Sequence, residues 1–174
     1  MKKALFIMLL FYLLAGFTFA DAANYYIEIS LNQCKLLLYA KDPDGSKILV
    51  QEYDVATVKK NKRIFPFGLG KITKIEIDPW WYPTNDSRKE FAKRGISLGS
   101  SISPGDPLNY MGKFKIYLSH ETSKGSVYRI HGTPQSEDHK IGQRVTSGCI
   151  RMHNDEGLEL ARILTPGTEV NITN

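Results

Sequence analysis

Between Arg129 and Met152 the chain reads R-I-H-G-T-P-Q-S-E-D-H-K-I-G-Q-R-V-T-S-G-C-I-R-M. Cys149 offers a nucleophile, His131 a base and Arg151 an anion-binding group. A thiol becomes a strong nucleophile only when a base or a positive charge favours its thiolate. These three groups therefore suit acyl transfer: imidazole takes the proton and the thiolate attacks a carbonyl. Backbone N–H groups around Gly148 and Cys149 then face the oxyanion. Arg151 is placed to hold a substrate carboxylate or to favour the thiolate.

Such chemistry needs strands to present it. If Thr146–Met152 is extended, Ser147, Cys149 and Arg151 share one face while Ile150 and Met152 point to the core. Val127, Arg129 and His131 share a face of their own segment by the same rule. Gly132 and Gly148 allow the backbone to approach closely beside both reactive residues. Alternation also predicts strands over Tyr25–Leu31, Lys35–Tyr39, Ile48–Ala56, Lys71–Ile77, Lys113–Leu118, Val127–His131 and Thr168–Ile172. Turns fall at Asn32-Gln33 and at Asp42–Gly45. Thr84-Asn85-Asp86 can start a helix over Ser87–Arg94. Asn154 is read as the cap of a second helix, which Thr165-Pro166-Gly167 ends. The fold class is mainly β, a sandwich or a partly closed barrel with one or two short helices. Asp78–Met111 is rich in Trp, Tyr, Pro, Gly and Ser. Its aromatics either line a cleft or cover the sheet edge.

The 174 residues begin with Lys2 and Lys3, an apolar run Ala4–Leu14 and small residues near Ala20. That is the pattern of a secretory signal peptide over 1–20, too short in its apolar part for an anchor that needs about 20 residues. One domain over 24–174 remains, with no stable membrane anchor after cleavage, in the periplasm or cell envelope. Removing Lys2 and Lys3 lowers the net charge from +5 to +3. Lys59, Lys60, Lys62 and Arg63 form the one cluster of cations, so nucleic acid is a poor partner for this chain. Cys34 sits in an apolar strand-like run and Cys149 among glycine, serine and arginine, which disfavours a disulfide between them. His120, His139 and His153 are read as structural. The spacing of His131, His139, His153 and Cys149 fits no usual zinc pair, so neither metal nor cofactor is expected.

His131-Gly132-Thr133, followed by Thr146-Ser147-Gly148-Cys149-Ile150-Arg151-Met152 and Asn154-Asp155, resembles the L,D-transpeptidase family with the YkuD domain. Trp80-Trp81-Tyr82-Pro83-Thr84 and the strand-rich opening extend the likeness. The resemblance implies a cysteine enzyme that cleaves peptidoglycan tetrapeptide stems between meso-diaminopimelate and D-alanine. The acyl group then passes to an amine on a stem or an envelope lipoprotein. By resemblance the nucleophile is Cys149 and the base His131, with Gly132, Ser147, Gly148 and Arg151 around them, and acylation by carbapenems is expected. Ser147 stands where many members have histidine, and a backbone carbonyl then orients His131. Ile64-Phe65-Pro66-Phe67-Gly68 replaces the family's Thr-Pro-x-Gly. An L,D-carboxypeptidase, with water as acceptor, and a non-catalytic envelope-binding module are the alternatives.

Overall fold

The computed structural model describes residues 24–61, 67–121 and 127–174. The expected leader, Lys62, Arg63 and Ile64-Phe65-Pro66 lie outside them. Ten strands occur among the described residues: β1 (Asn24–Ser30), β2 (Lys35–Lys41), β3 (Lys47–Asp54), β4 (Thr57–Val58), β5 (Gly68–Ile77), β6 (Phe114–Glu121), β7 (Val127–His131), β8 (Arg144–Thr146), β9 (Ile150–Arg151) and β10 (Glu169–Thr173). Eight form one curled sheet in the order β3-β2-β1-β10-β5-β6-β7-β9, and β4 pairs with β8. The molecule thus takes the partly closed architecture of the two expected. Most neighbours are antiparallel, but β1 with β10, β7 with β9 and β4 with β8 are parallel.

Period-two alternation explains the sheet's inner face. Ile27, Ile29, Leu36, Leu38, Ile116 and Ile130 are all buried to within 1%. Each such side chain contributes roughly 1.5–3 kcal/mol when taken from water. Helix α2 (Asn154–Ile163) covers this face and buries Leu160 and Ala161. Leu164, just beyond it, is buried as well. The cap expected at Asn154 is instead His153, which makes no side-chain capping bond. Asn154 is helical, and its amide is engaged elsewhere. Helix α1 (Asn85–Ala92) starts as expected, with the Thr84 hydroxyl accepting from the Ser87 N–H at 3.1 Å.

Two expectations about local structure are corrected. The first turn spans Leu31–Cys34, not Asn32-Gln33 alone, and Cys34 has φ of 56° within it. Cys34 is therefore a buried turn residue, its sulfur 3.4 Å from Thr57 Oγ1, and both cysteines are free thiols. Beyond the helix expected there, Asp78–Met111 gathers a small core of its own, in which Trp81, Phe91 and Ile102 are buried. The Trp81 ring packs tilted against Tyr110 at 5.2 Å, and the Phe91 ring meets it edge-on at 5.0 Å. Asn109 locks the segment by donating to Pro79 O and Ser103 O, each at 2.9 Å, and accepting from Met111 N–H. Trp80 and Tyr82 stay exposed. No helix among the described residues is long and apolar enough to cross a membrane.

Candidate active site

Strand register builds the site. On the sheet face opposite Ile116, Ile130 and Ile150, pairing aligns Glu76 with Lys115, Lys115 with His131, and His131 with Arg151. One row of ionisable side chains thus crosses four strands. The adjacent row runs Lys74, Tyr117, Arg129. Because Ile130 lies opposite Ile150, the bend that carries Cys149 leads into β9 beside the Arg129 end of that second row and close to the strand that ends in His131.

The segment carrying the thiol departs from the extended form. Ser147, Gly148 and Cys149 form a bend, and regular pairing resumes only at Ile150. Pairing with β7 fixes Ile150 and Met152 in the core, both fully buried, and turns Arg151 outward. Ser147 is exposed. The Gly148 N–H donates to Thr146 Oγ1 at 3.3 Å, so one donor expected to face an oxyanion is directed inward by a long bond.

His131 is buried, and its Nδ1 lies 2.7 Å from Gly132 O. A carbonyl can only accept, so Nδ1 carries the proton and the Nε2 lone pair is left to take one. Burial pushes the imidazole pKa down to about 3. The Arg151, Arg129 and Lys115 charges push the same way, against the Gly132 bond. Burial likewise raises the Cys149 thiol, opposed by Arg129 through its charge, backbone N–H and guanidinium, and more weakly by Arg151. The resting pair is neutral thiol and neutral imidazole.

Behind His131, Lys115 is buried and pairs with Glu76 Oε2 at 3.0 Å. Burial would raise the Glu76 carboxyl, but hydrogen bonds from Lys74, Lys115 and Tyr117 outweigh it and hold the pKa near 2. Beside Arg151, the buried Glu137 accepts from Arg151 Nη1 at 3.3 Å, Tyr110 Oη at 3.2 Å and Lys140 Nζ at 2.6 Å. The Arg151 guanidinium also sits 5.5 Å from the Tyr110 ring. Glu137 therefore ties the aromatic excursion and a 3-10 turn (Gln135–Lys140) to the thiol-bearing strand.

The two glycines differ. A methyl at Gly132 would overlap Asn154 Oδ1 and press on Lys113 N at 3.0 Å, so close approach is real there. A methyl at Gly148 would meet only Tyr128 Cε2 at 3.9 Å, so the expected crowding is absent and that side of the bend stays open. Asn154 accepts from Lys113 N–H at 2.9 Å and Thr133 N–H at 3.3 Å, and donates to Thr133 O at 2.7 Å. It clamps the His131-Gly132-Thr133 turn to the start of α2.

The structure therefore gathers Cys149, His131, Gly132, Gly148 and Arg151 on one edge of the sheet, with Ser147 at its rim. Arg129, Lys115, Glu76 and Glu137 were not singled out from the sequence. Arg129 was visible as a face-mate of His131, whereas Glu137 carries no pattern signal in its polar run. His120 is elsewhere, its Nε2 2.9 Å from Gly68 O. His139 is exposed, and His153 lies 3.6 Å from Asp138.

The family model of the L,D-transpeptidase catalytic domain, YkuD, matches residues 24–172. The probable L,D-transpeptidase ErfK/SrfK of Escherichia coli is 33% identical over 156 residues, covering 83% of this chain and 43% of that protein. The putative L,D-transpeptidase YkuD of Bacillus licheniformis is 33% identical over 161 residues, covering 92% of this chain and 73% of the other. The chain thus spans less than half the length of the first of these relatives. An L,D-transpeptidase structure from Mycobacterium smegmatis superposes with a TM-score of 0.55 at 15% identity, covering 87% of this chain and 59% of that one, a likeness of fold. On the family match and these relatives, the chain belongs to the L,D-transpeptidase (YkuD) catalytic-domain family.

Proposed function

We propose that this protein is a cysteine acyltransferase that acts on peptidoglycan stem peptides in the cell envelope, exported by its N-terminal leader. The observation that supports the reading is the parallel β7–β9 register, which brings the bend carrying Cys149 to the strand that ends in His131. The stem carbonyl between meso-diaminopimelate and D-alanine approaches the sulfur from the open side of Gly148. The Sγ–H proton passes to His131 Nε2 as the S–C bond forms, so neither group need be charged beforehand. The Gly132 carbonyl steadies the imidazolium through Nδ1–H, as a third residue does in other triads. His131 then returns the proton to the D-alanine nitrogen as the C–N bond breaks, leaving a thioester on Cys149. An acceptor amine attacks the thioester and loses its proton to His131, the new amide forms, and the thiol is regenerated. Acceptors consistent with this site are a second stem or a lipoprotein lysine; water gives the carboxypeptidase instead.

Purified disaccharide tetrapeptide tests the reading. The wild-type protein should release D-alanine and form stem dimers, and Cys149→Ala should lower that release by about a thousandfold or more with an unchanged circular dichroism spectrum. Undiminished turnover in Cys149→Ala would remove the thiol from the mechanism. Tripeptide stems without dimers would identify water as acceptor. No turnover, together with no carbapenem adduct on Cys149 by intact mass, would favour the binding module.

A further inference from the structure

Two guanidinium groups flank Cys149, and their electrostatic circumstances differ. Arg151 lies beside the sulfur along its own strand, but its charge is shared with the buried carboxylate of Glu137 at 3.3 Å and with the Tyr110 ring. Arg129 lies across the strand pair from the sulfur, at the end of the Lys74, Tyr117, Arg129 row. No carboxylate pairs with Arg129 among the described residues; its guanidinium packs on the Tyr117 ring at 5.2 Å. Its charge, its backbone N–H and its guanidinium all favour the ionised form of the sulfur, ahead of the Arg151 charge. Tyr117 cannot neutralise it, because that phenol points to Glu76 at 2.9 Å. The ring face instead supports the planar guanidinium and limits its freedom.

We infer that Arg129, and not Arg151, is the residue that supplies the counter-charge for the Cys149 thiolate during acyl transfer. The inference rests on the proposed role of Cys149 and assigns that site a further catalytic residue. As the proton leaves Sγ for His131 Nε2, negative charge develops on sulfur at the edge where β7 presents Arg129. A charge-assisted bond from the guanidinium is stronger than a neutral one. When the S–C bond forms, the charge moves to the oxyanion and Arg129 releases its hold. When the thioester is cleaved, sulfur departs toward the same donors.

The groups that face the thiol define what a titration reads. From β7 they are Arg129, Tyr128 and His131. From β9 the group is Arg151, backed by Glu137. From β6 they are Lys115 and Tyr117, one strand further off. Burial, with a small contribution from Cys149, raises the Tyr128 phenol, which stays neutral throughout. His131 is neutral above its depressed pKa.

The test is iodoacetamide alkylation of the full chain at Cys149 from pH 6 to 11, followed by peptide mass spectrometry to separate Cys149 from buried Cys34. Arg129→Gln should raise the midpoint by at least about one pH unit, about tenfold slower alkylation at pH 7, and Arg129→Lys should recover much of that loss. Arg151→Gln should move the midpoint far less. Glu137→Gln should lower it, by releasing the Arg151 charge. If Arg129→Gln does not fold, Arg129→Lys and Glu137→Gln still decide. A midpoint unmoved in Arg129→Gln, a shift in Arg151→Gln as large as in Arg129→Gln, or no response to Glu137→Gln overturns the inference. Iodoacetamide needs no stem peptide, so this result stands apart from failure or success of the turnover assay.

Discussion

The sheet has two edges, and they treat charge in different ways. At the β3 edge, Lys35 bridges Glu52 at 2.7 Å and Asp54 at 2.9 Å, with all three side chains at least one-third exposed. Ile48, Leu49 and Val50 beside them are about half exposed, and a bulge between Leu38 and Tyr39 interrupts their pairing. At the β9 edge, Glu137 and Arg151 pair with side chains only 10% and 18% exposed, and Lys115 pairs with Glu76 one row behind His131. Exposed pairs exchange readily with water and contribute little. A buried pair adds little as a unit, but removing one partner strands the other without solvent. The difference teaches where charge in this molecule is structural. At β9 each ion is needed by the next, and the last in line faces the thiol.

The largest expected effect is that of Glu137→Ala. It leaves Arg151 and Lys140 without their carboxylate and Tyr110 without its acceptor. A loss of about 3 kcal/mol in urea unfolding is expected, at the low end for buried pairs because Arg151 retains some solvent. A loss below about 0.5 kcal/mol would show that the β9 edge behaves like the β3 edge.

This contrast was only partly legible beforehand. Alternation located β1, β2, β6, β7 and β10, because an inner face of Ile, Leu and Phe repeats every second residue. Thr84 and Asn85-Asp86 gave the start of α1 through local chemistry alone. Alternation over Val127–His131 matched β7, but the extended form assumed for Thr146–Met152 gave way to a bend at Ser147–Cys149. What sequence could not supply was register. The row from Glu76 to Arg151 joins residues up to 75 positions apart, and no local pattern states which of them lie opposite. Glu137 is one acid in a polar run, distinguishable only by burial. Asn154 has the residue type of a cap, and local rules assigned it that role. Tertiary contact with Lys113 and Thr133 took its amide instead. Apart from α1, Asp78–Met111 reads as a loop because its apolar residues follow no single period, yet they gather around Trp81.

A smaller effect separates the edges by pH. The folded protein holds His131 near pKa 3, below the ordinary histidine value of 6.5. Between those values the unfolded chain binds a proton that the folded chain refuses, so stability falls as pH drops from 6.5 toward 3. The loss by pH 5 should be about 2 kcal/mol at most. Glu76, held near 2 from an ordinary 4.5, adds its own loss only below pH 4.5. Urea midpoints measured from pH 8 to 4 should therefore decline in the wild type. In His131→Gln they should stay flat until about pH 4.5. An identical decline in that variant would assign the acid sensitivity to other groups and remove the buried imidazole from the β9 side of the comparison.

The smallest effect belongs to Lys35→Ala. Lys35 holds two carboxylates at once, and by bond count it outranks Arg151. Bond count is the wrong measure here. When the ammonium is removed, Glu52 and Asp54 take up water at no cost in buried charge, and β3 keeps its backbone bonds to β2. The urea midpoint should match the wild type within error, and D-alanine release should be unchanged because the site lies at the far edge of the sheet. A destabilisation equal to that of Glu137→Ala would mean that exposure does not govern these pairs. The reasoning that assigns Arg151 to Glu137, and leaves Arg129 for the sulfur, would then lose its footing.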